Sequence, residues 1–309
     1  MIVEVMTAAQ STSRHFDKRC REDNRAAKTA LRPRPACHGP LAVQGQTIVA
    51  ILAAMHIAIR TLFVTCLLAG LAGCGLFTPP VRVPMDVLRP DAGPCEGRAP
   101  ALLVMLPGAY SRPSEFVAED FVGSVRRRGL AADIVIADAH LGYFKDRSIL
   151  KRLRDDIVLP ARAAGYQKIW LVGISLGGFG ALGYGARRGD DIDGVVAFAP
   201  YLGRTALLDE INAAGGPLAW HAAPHLQEDD NLERDMWEWL TEPPAERLPV
   251  YLGNGREDRM VDSHHMLAAV LPADRSDEVP GDHDWPAWRE LWGHWLDRGL
   301  LPARCGAGS

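Results

Sequence analysis

The chain has 309 residues, of which 48% are hydrophobic and 23% are charged, and its formal net charge at pH 7 is −4. These values are typical of an ordinary globular protein with room for one large α/β domain. They exclude a strongly basic protein and give no electrostatic reason to expect an acidic partner, so we expect no binding to nucleic acid.

The N-terminal part of the sequence differs from the rest. Basic side chains are concentrated in the first 34 residues, which show no apolar periodicity, so we expect this stretch to be unfolded. We assign residues 1–54 to a non-native or disordered extension, because Met55 is a better start for the segment that follows.

A short apolar segment begins at Met55, carries Arg60 near its start and ends in Leu71-Ala72-Gly73-Cys74. A basic start, an apolar core and small residues at the end are the order of an export signal. The segment resembles a bacterial lipoprotein signal peptide, in which the chain is cut before a cysteine that carries lipid. The resemblance implies that residues 55–73 are removed and that Cys74 is lipidated.

That resemblance also implies a location in the bacterial cell envelope, with the protein anchored by lipid to the periplasmic side of a membrane. Gly75 stands where an aspartate would favour the inner membrane, so the outer membrane is favoured. The alternative is a transmembrane anchor, since the apolar run from Ile48 to Leu76 is long enough to be extended across a bilayer.

Two of the six cysteines, Cys95 and Cys305, lie beyond Cys74. An even pair in an oxidising compartment predicts a disulfide between the two ends of the mature domain, and two unpaired thiols are the alternative. Neither cysteine has the spacing of a metal ligand. We therefore predict no metal site, and the chemistry described below requires no organic cofactor.

A Pro-rich linker, assigned to residues 74–100, precedes a domain that we assign to residues 101–300. Apolar runs typical of strands buried on both faces recur through this domain. They lie at residues 101–106, 133–137, 169–172, 195–199 and 250–252, and we predict a further short strand near residues 276–279.

Helical patterns alternate with these strands. They cover residues 113–128, 147–164, 176–188, 262–270 and 286–298. The alternation predicts an α/β fold, with a mostly parallel central sheet and helices on both faces. Between about 203 and 247 the alternation stops, and this Trp-containing segment is too long for an ordinary loop. We expect it to be a helical lid insertion over the carboxyl ends of the strands.

The central motif is Gly173-Ile174-Ser175-Leu176-Gly177, which follows the strand 169–172 and precedes a helix rich in small residues. Strand, sharp turn and helix in this order are typical of a nucleophile elbow. The glycines leave space for the turn, so Ser175 is the candidate catalytic nucleophile.

A serine nucleophile needs a general base and an acid that orients the base. Asp258 lies in a turn beyond strand 250–252, and we assign it as the acid. Glu257 and Asp262 are alternatives, and a turn carboxylate without a role stays possible.

His283 is the candidate base, because it lies on a glycine-containing loop between the last strand and the last helix. A solvent-exposed loop histidine is the alternative. His264 and His265 fall on a predicted helix, and we expect both at its surface.

The developing oxyanion needs two backbone donors. The N–H of Leu176, at the start of the elbow helix, is the first. For the second we favour Ala109, with Tyr110 close behind, because Gly108 lets the loop after the first strand turn its amides inward.

Two motifs in residues 101–298 carry a resemblance to the α/β-hydrolase superfamily. They are Gly173-Ile174-Ser175-Leu176-Gly177-Gly178-Phe179-Gly180-Ala181-Leu182 and Gly281-Asp282-His283-Asp284-Trp285-Pro286-Ala287-Trp288. Both also resemble the esterase D branch, but the short loop Leu106-Pro107-Gly108-Ala109-Tyr110 looks like that of general esterases and lipases, which leaves the substrate class open.

The resemblance implies a serine hydrolase that cleaves a small-molecule or lipid carboxylic ester through an acyl-enzyme intermediate. An acyltransferase or thioesterase with the same triad is an alternative within enzymes. A non-catalytic envelope lipoprotein is the alternative from another class, since a fold alone does not imply activity.

Overall fold

The computed structural model describes residues 55–56, 59–61, 78–222, 231–245 and 247–305. The chain divides into two units, Met1–Phe77 and Thr78–Ser309. The described residues of the first unit are helical, and the predicted lipidation site at Cys74 lies outside the described residues. No helix in the described part of the chain combines the length and apolar character needed to cross a membrane.

The second unit is built on one seven-stranded sheet in the order β1-β3-β2-β4-β5-β6-β7. Its strands are β1 Val87–Leu88, β2 Ala101–Leu106, β3 Ala132–Ala137, β4 Lys168–Ile174, β5 Gly194–Phe198, β6 Val250–Gly255 and β7 Ser276–Val279. Strand β1 pairs with β3 in antiparallel orientation, and every other neighbouring pair is parallel. The predicted mostly parallel sheet is confirmed.

Eleven α-helices are described in this unit. They are α1 Pro113–Ala118, α2 Phe121–Arg127, α3 Leu141–Lys145, α4 Ile149–Leu153, α5 Leu159–Ala164, α6 Leu176–Arg188, α7 Thr205–Ala213, α8 Pro217–Ala222, α9 Leu232–Thr241, α10 Val261–Ala268 and α11 Trp285–Leu296. A π-helical turn, Arg154–Val158, joins α4 to α5.

The apolar strand runs follow from burial of both faces of the sheet. In β2, Leu102 and Val104 belong to one hydrophobic cluster, whereas Leu103 and Met105 belong to the other. The first cluster includes residues of α3 to α10, and the second includes residues of α1, α2 and α11. Helices therefore lie on both faces, which confirms the predicted architecture.

Two elements differ from the sequence prediction. The helix expected over residues 113–128 is divided into α1 and α2, because Asp120 takes a left-handed backbone conformation with φ of 64°. The segment assigned to a linker contributes β1 to the sheet, and Met85 is only 4% exposed. The Met85 N–H also donates to Asp156 at 2.8 Å. Met85 and β1 are therefore part of the folded domain and not of a linker.

The insertion predicted at about 203–247 contains α7, α8 and α9. Helix α9 packs along α6, where Leu232 lies close to Gly183 and Trp239 approaches Gly185 so closely that a methyl group on Gly185 would lie 2.7 Å from the indole. Trp237 is fully buried and its Nε1–H donates to the Leu202 carbonyl at 2.8 Å. Residues 223–230 lie outside the described residues, and the lid role stays a prediction.

A disulfide joins Cys95 to Cys305, with 5.6 Å between the two Cα atoms and 210 residues between them in sequence. The bond connects the segment before β2 to the segment after α11. Such a long closed loop strongly restricts the unfolded chain.

We expect the Cys95→Ser/Cys305→Ser variant to lose roughly 2–5 kcal/mol of unfolding free energy, because its unfolded state is no longer cross-linked. Urea unfolding of the full chain, with and without reductant, measures the loss. Reduction of the wild type should give the same change, and equal stability of the oxidised and reduced proteins would contradict this account.

Candidate active site

Ser175 occupies the turn between β4 and α6, with φ of 54° and ψ of −115°. A positive φ is unfavourable for a residue with a side chain, so the surrounding backbone must hold it. The Ser175 N–H donates to the Phe198 carbonyl at 2.9 Å. Its carbonyl accepts from the N–H groups of Phe179 and Tyr201, at 3.1 and 3.0 Å. These bonds fix the elbow.

The glycines of the motif are required by close backbone contacts. A methyl group on Gly173 would lie 2.2 Å from the Gly177 carbonyl oxygen, and one on Gly177 would lie 2.1 Å from the carbonyl oxygen of Leu106. Neither distance is possible for real atoms. The elbow therefore closes against the end of β2 only because both positions lack a side chain.

His283 and Asp258 form a buried hydrogen-bonded pair. Nδ1 of His283 lies 2.7 Å from Oδ2 of Asp258, and the two side chains are 8% and 0% exposed. The other oxygen, Oδ1 of Asp258, accepts the Met260 N–H at 2.8 Å. A carboxylate can only accept, so the neutral imidazole carries its proton on Nδ1 and presents Nε2 as a base.

Asp258 is held in its charged form. Burial acts to raise the pKa of this carboxyl, but the hydrogen bonds from His283 and from the Met260 N–H outweigh it and leave the pKa below its ordinary value. The group therefore stays ionised at neutral and mildly acidic pH. An ionised partner is what a histidine needs when it takes up a second proton.

The two alternative acids, Glu257 and Asp262, are both exposed. Glu257 is exposed, and its carboxylate accepts the Gly281 N–H at 2.6 Å, while its own N–H donates to the Gly281 carbonyl at 3.0 Å. It thus ties the acid turn to the loop before His283. Asp262 is exposed in the first turn of α10. Of the three candidates, Asp258 contacts the histidine.

The loop that carries His283 is held by packing as well. The imidazole meets the Trp288 ring edge to face, with ring centroids 5.2 Å apart and an interplanar angle of 90°. Trp288 lies in α11 and is 6% exposed. Two contacts, the Asp258 carboxylate and this indole, therefore restrict the ring of the histidine.

Topology brings the nucleophile and the pair to one edge of the sheet. Strands β4, β5, β6 and β7 are consecutive and parallel, and Ser175, Asp258 and His283 follow the carboxyl ends of β4, β6 and β7. Among the described residues, no hydrogen bond joins the Ser175 hydroxyl to His283. Such bonds are often long without substrate and tighten in the complex.

The predicted oxyanion donors lie on the two segments next to the nucleophile, the start of α6 and the loop after β2. Leu176 is the first residue of α6, where helical N–H groups have no intrahelical acceptor. A methyl group on Gly108 would lie 3.5 Å from Cβ of Ser175, so the loop after β2 passes beside the serine. The Ser111 N–H donates to the Gly108 carbonyl at 3.1 Å, which places Ala109 and Tyr110 in the bend between them.

The expected surface position of His264 is wrong. His264 is fully buried, whereas His265 is 60% exposed at its side chain and pairs with Glu278 at 2.8 Å. Adjacent residues on a helix point in different directions, so His264 can face the core while His265 faces solvent. The helical spacing indicates the buried position of His264, which lies three residues before the apolar Leu267 and on the same face of α10.

A cleft of about 860 Å³ opens beside Leu176, and we name it the α6 cleft. Apolar and aromatic side chains form part of its lining: Leu141, Phe144, Ile149, Leu150, Leu176, Phe179, Tyr201 and Leu232. Basic side chains also line it: Lys145, Arg147, Lys151, Arg154, Arg187, Arg188 and Arg204. The acidic side chains in the lining are Asp155 and Glu233.

Within the part of the chain that the structure describes, no group of three or more His, Cys, Asp or Glu side chains is arranged to hold a metal ion. The candidate chemistry at this site uses a hydroxyl, an imidazole, a carboxylate and backbone amides. These groups together can transfer an acyl group through a serine ester.

Comparison with known proteins adds a family match. Residues 158–292 match the model of the Esterase family, and this range contains Ser175, Asp258 and His283. No curated protein matches the chain.

Solved structures with a similar arrangement include S-formylglutathione hydrolase from Staphylococcus aureus, at 16% identity and a TM-score of 0.44, covering 64% of this chain and 80% of that one. Another is a monoacylglycerol lipase from Paleococcus ferrophilus, at 17% identity and a TM-score of 0.46, covering 69% and 98%. Est1E from Butyrivibrio proteoclasticus, solved with ferulic acid, has 15% identity and a TM-score of 0.45, covering 69% and 93%. Likenesses at this level assign no substrate.

We expect Asp258→Asn to slow covalent modification of Ser175 by a fluorophosphonate about 10³- to 10⁴-fold, because the amide cannot hold the imidazole in its working tautomer. The measurement is the second-order labelling rate of the folded full chain. Glu257→Gln, whose amide oxygen can still accept the Gly281 N–H, and Asp262→Asn are the matched controls and should stay within about threefold of the wild type. A larger effect of either control than of Asp258→Asn would reassign the acid.

Proposed function

We infer that this chain, whose residues 158–292 match the model of the Esterase family, is a serine hydrolase of the α/β-hydrolase fold that cleaves carboxylic esters. We propose further that it does so through an acyl-enzyme intermediate on Ser175. The observation that carries this proposal is the buried His283–Asp258 hydrogen bond of 2.7 Å, at the sheet edge where the elbow presents Ser175.

In the acylation step, Oγ of Ser175 attacks the ester carbonyl carbon while Nε2 of His283 takes the hydroxyl proton. Asp258 stabilises the imidazolium that forms. The carbonyl oxygen becomes an oxyanion, which the N–H groups of Leu176 and Ala109 stabilise, with Tyr110 as the alternative to Ala109. The C–O bond to the alcohol then breaks, and His283 returns its proton to the departing oxygen.

Deacylation repeats these steps with water. His283 removes a proton from the water as its oxygen attacks the acyl carbon, and the same N–H groups hold the second oxyanion. When this intermediate collapses, the bond to Oγ breaks and Ser175 recovers its proton from His283. The products are a carboxylic acid and an alcohol, and the enzyme is restored.

The α6 cleft is the proposed binding site for one part of the ester. Its volume of about 860 Å³ falls in the usual range for small-molecule sites, and it adjoins both Leu176 and the Tyr201 segment that holds the elbow. Its apolar lining suits an acyl chain of medium length. The excess of basic over acidic side chains favours a neutral or anionic ester over a cationic one.

We also propose that the protein is exported and anchored by lipid on Cys74 to the periplasmic side of a membrane, with the outer membrane favoured. The lipobox sequence Leu71-Ala72-Gly73-Cys74 supports the anchor. The Cys95–Cys305 disulfide supports export, because disulfides persist mainly in oxidising compartments.

Hydrolysis of p-nitrophenyl esters tests the activity. Ser175→Ala should lower kcat by about 10⁶-fold, because removal of the nucleophile abolishes the covalent route. The octanoate ester should have a lower KM than the acetate ester, since each buried methylene contributes up to about 0.8 kcal/mol. Without an added alcohol, the free acid should form as fast as p-nitrophenol is released; hydrolysis that persists in Ser175→Ala would contradict the proposal.

Metabolic labelling with a fatty acid tests the anchor. The wild-type chain expressed in a Gram-negative host should incorporate label and sediment with membranes, whereas Cys74→Ser should do neither because the acceptor thiol is missing. Cys66→Ser is the matched control, since Cys66 lies in the apolar part of the same signal and should leave labelling unchanged. Labelling of Cys74→Ser would overturn the assignment.

A further inference from the structure

We propose that His264 is a positioning residue of this site: its Nε2–H donates to the Pro200 carbonyl and thereby fixes the segment that holds Ser175 relative to the turn that carries Asp258. This proposal rests on the proposed esterase function. The interaction is a buried contact of 3.1 Å between Nε2 of His264 and the carbonyl oxygen of Pro200.

The chemistry of the contact fixes the state of the ring. A carbonyl oxygen only accepts, so Nε2 of His264 must carry the proton. Burial lowers the pKa of the imidazole despite the nearby Asp258 carboxylate and the Pro200 carbonyl, while His283 and His265 also act to lower it. His264 is therefore a neutral donor, with Nδ1 unprotonated.

Pro200, the acceptor in this hydrogen bond, is connected to the turn that carries the nucleophile. Pro200 precedes Tyr201, whose N–H donates to the Ser175 carbonyl at 3.0 Å. Pro200 also packs against the start of α6, where a methyl group on Gly178 would lie only 2.9 Å from its Cβ. A shift of Pro200 therefore moves the elbow through two contacts.

His264, the donor, is connected to the turn that carries the acid. The backbone N–H of His264 and the hydroxyl of Ser263 both donate to the Met260 carbonyl, at 3.2 and 2.8 Å. The Met260 N–H in turn donates to Oδ1 of Asp258 at 2.8 Å. One residue thus connects the acid turn to the nucleophile segment.

A purely packing role does not account for a histidine here. His264 is fully buried, and its Nδ1 has no hydrogen-bond partner among the described residues. An apolar side chain of similar size would fill the space without an unpaired ring nitrogen, which is costly to bury. The residue type is explained by the donor that it directs at Pro200.

The test compares two amides that differ by one methylene. In His264→Gln the side-chain amide reaches the position of Nε2 and keeps a donor to Pro200, whereas in His264→Asn it is too short. We expect His264→Asn to lower kcat roughly 10- to 100-fold with KM within about threefold, because misplaced reacting groups slow chemistry more than binding. His264→Gln should recover kcat to within about threefold of the wild type.

Two controls make the outcome specific. His265→Gln and His265→Asn alter the exposed neighbour on α10 and should leave both constants unchanged. Titration of active sites with a fluorophosphonate counts folded, competent molecules, so kcat is expressed per labelled Ser175 and a fraction that fails to fold does not lower it.

Equal kcat per site in the wild type and both His264 variants would overturn the proposal, as would equal losses in the Gln and Asn variants. Absence of Ser175-dependent hydrolysis in the wild type is a different result: it would overturn the proposed function, and the positioning role with it.

Discussion

The backbone of Ser175 is the constraint on which the site depends. A residue with a side chain at φ of 54° is held only because Phe198, Phe179 and Tyr201 bond its N–H and carbonyl. Strand β5, the segment that follows it and the start of α6 supply these partners, so the nucleophile is positioned by the sheet and its adjoining elements. Its strain is maintained by packing that the whole fold provides.

Much of this arrangement could be predicted from the sequence, because the features concerned impose a recognisable pattern on short stretches of chain. Strand β2 was assigned to residues 101–106 and occupies Ala101–Leu106, because a strand buried on both faces is apolar at every position. The elbow was recognisable because close backbone contacts demand glycine at Gly173 and Gly177. Asp258 and His283 were assigned from their positions beyond strand ends, a consequence of parallel topology.

What the sequence did not predict depends on tertiary contacts. Strand β1 has only two residues and no distinctive pattern, so only its pairing with β3 identifies it. The helix break occurs at Asp120, and neither a glycine nor a proline at that position indicates it in the sequence. His264 has no motif, and its role emerges only when Pro200, distant in sequence, comes within 3.1 Å. Such contacts are set by the packed fold and not by local propensity.

The central claim is that Ser175 becomes acylated during turnover. The direct measurement is acid quenching of the full chain within the first turnover of a p-nitrophenyl ester, followed by intact mass and peptide mapping. The account predicts one acyl group per chain, on Ser175, and none in Ser175→Ala. Turnover of the ester with no acyl adduct, or with the adduct on another residue, would contradict it.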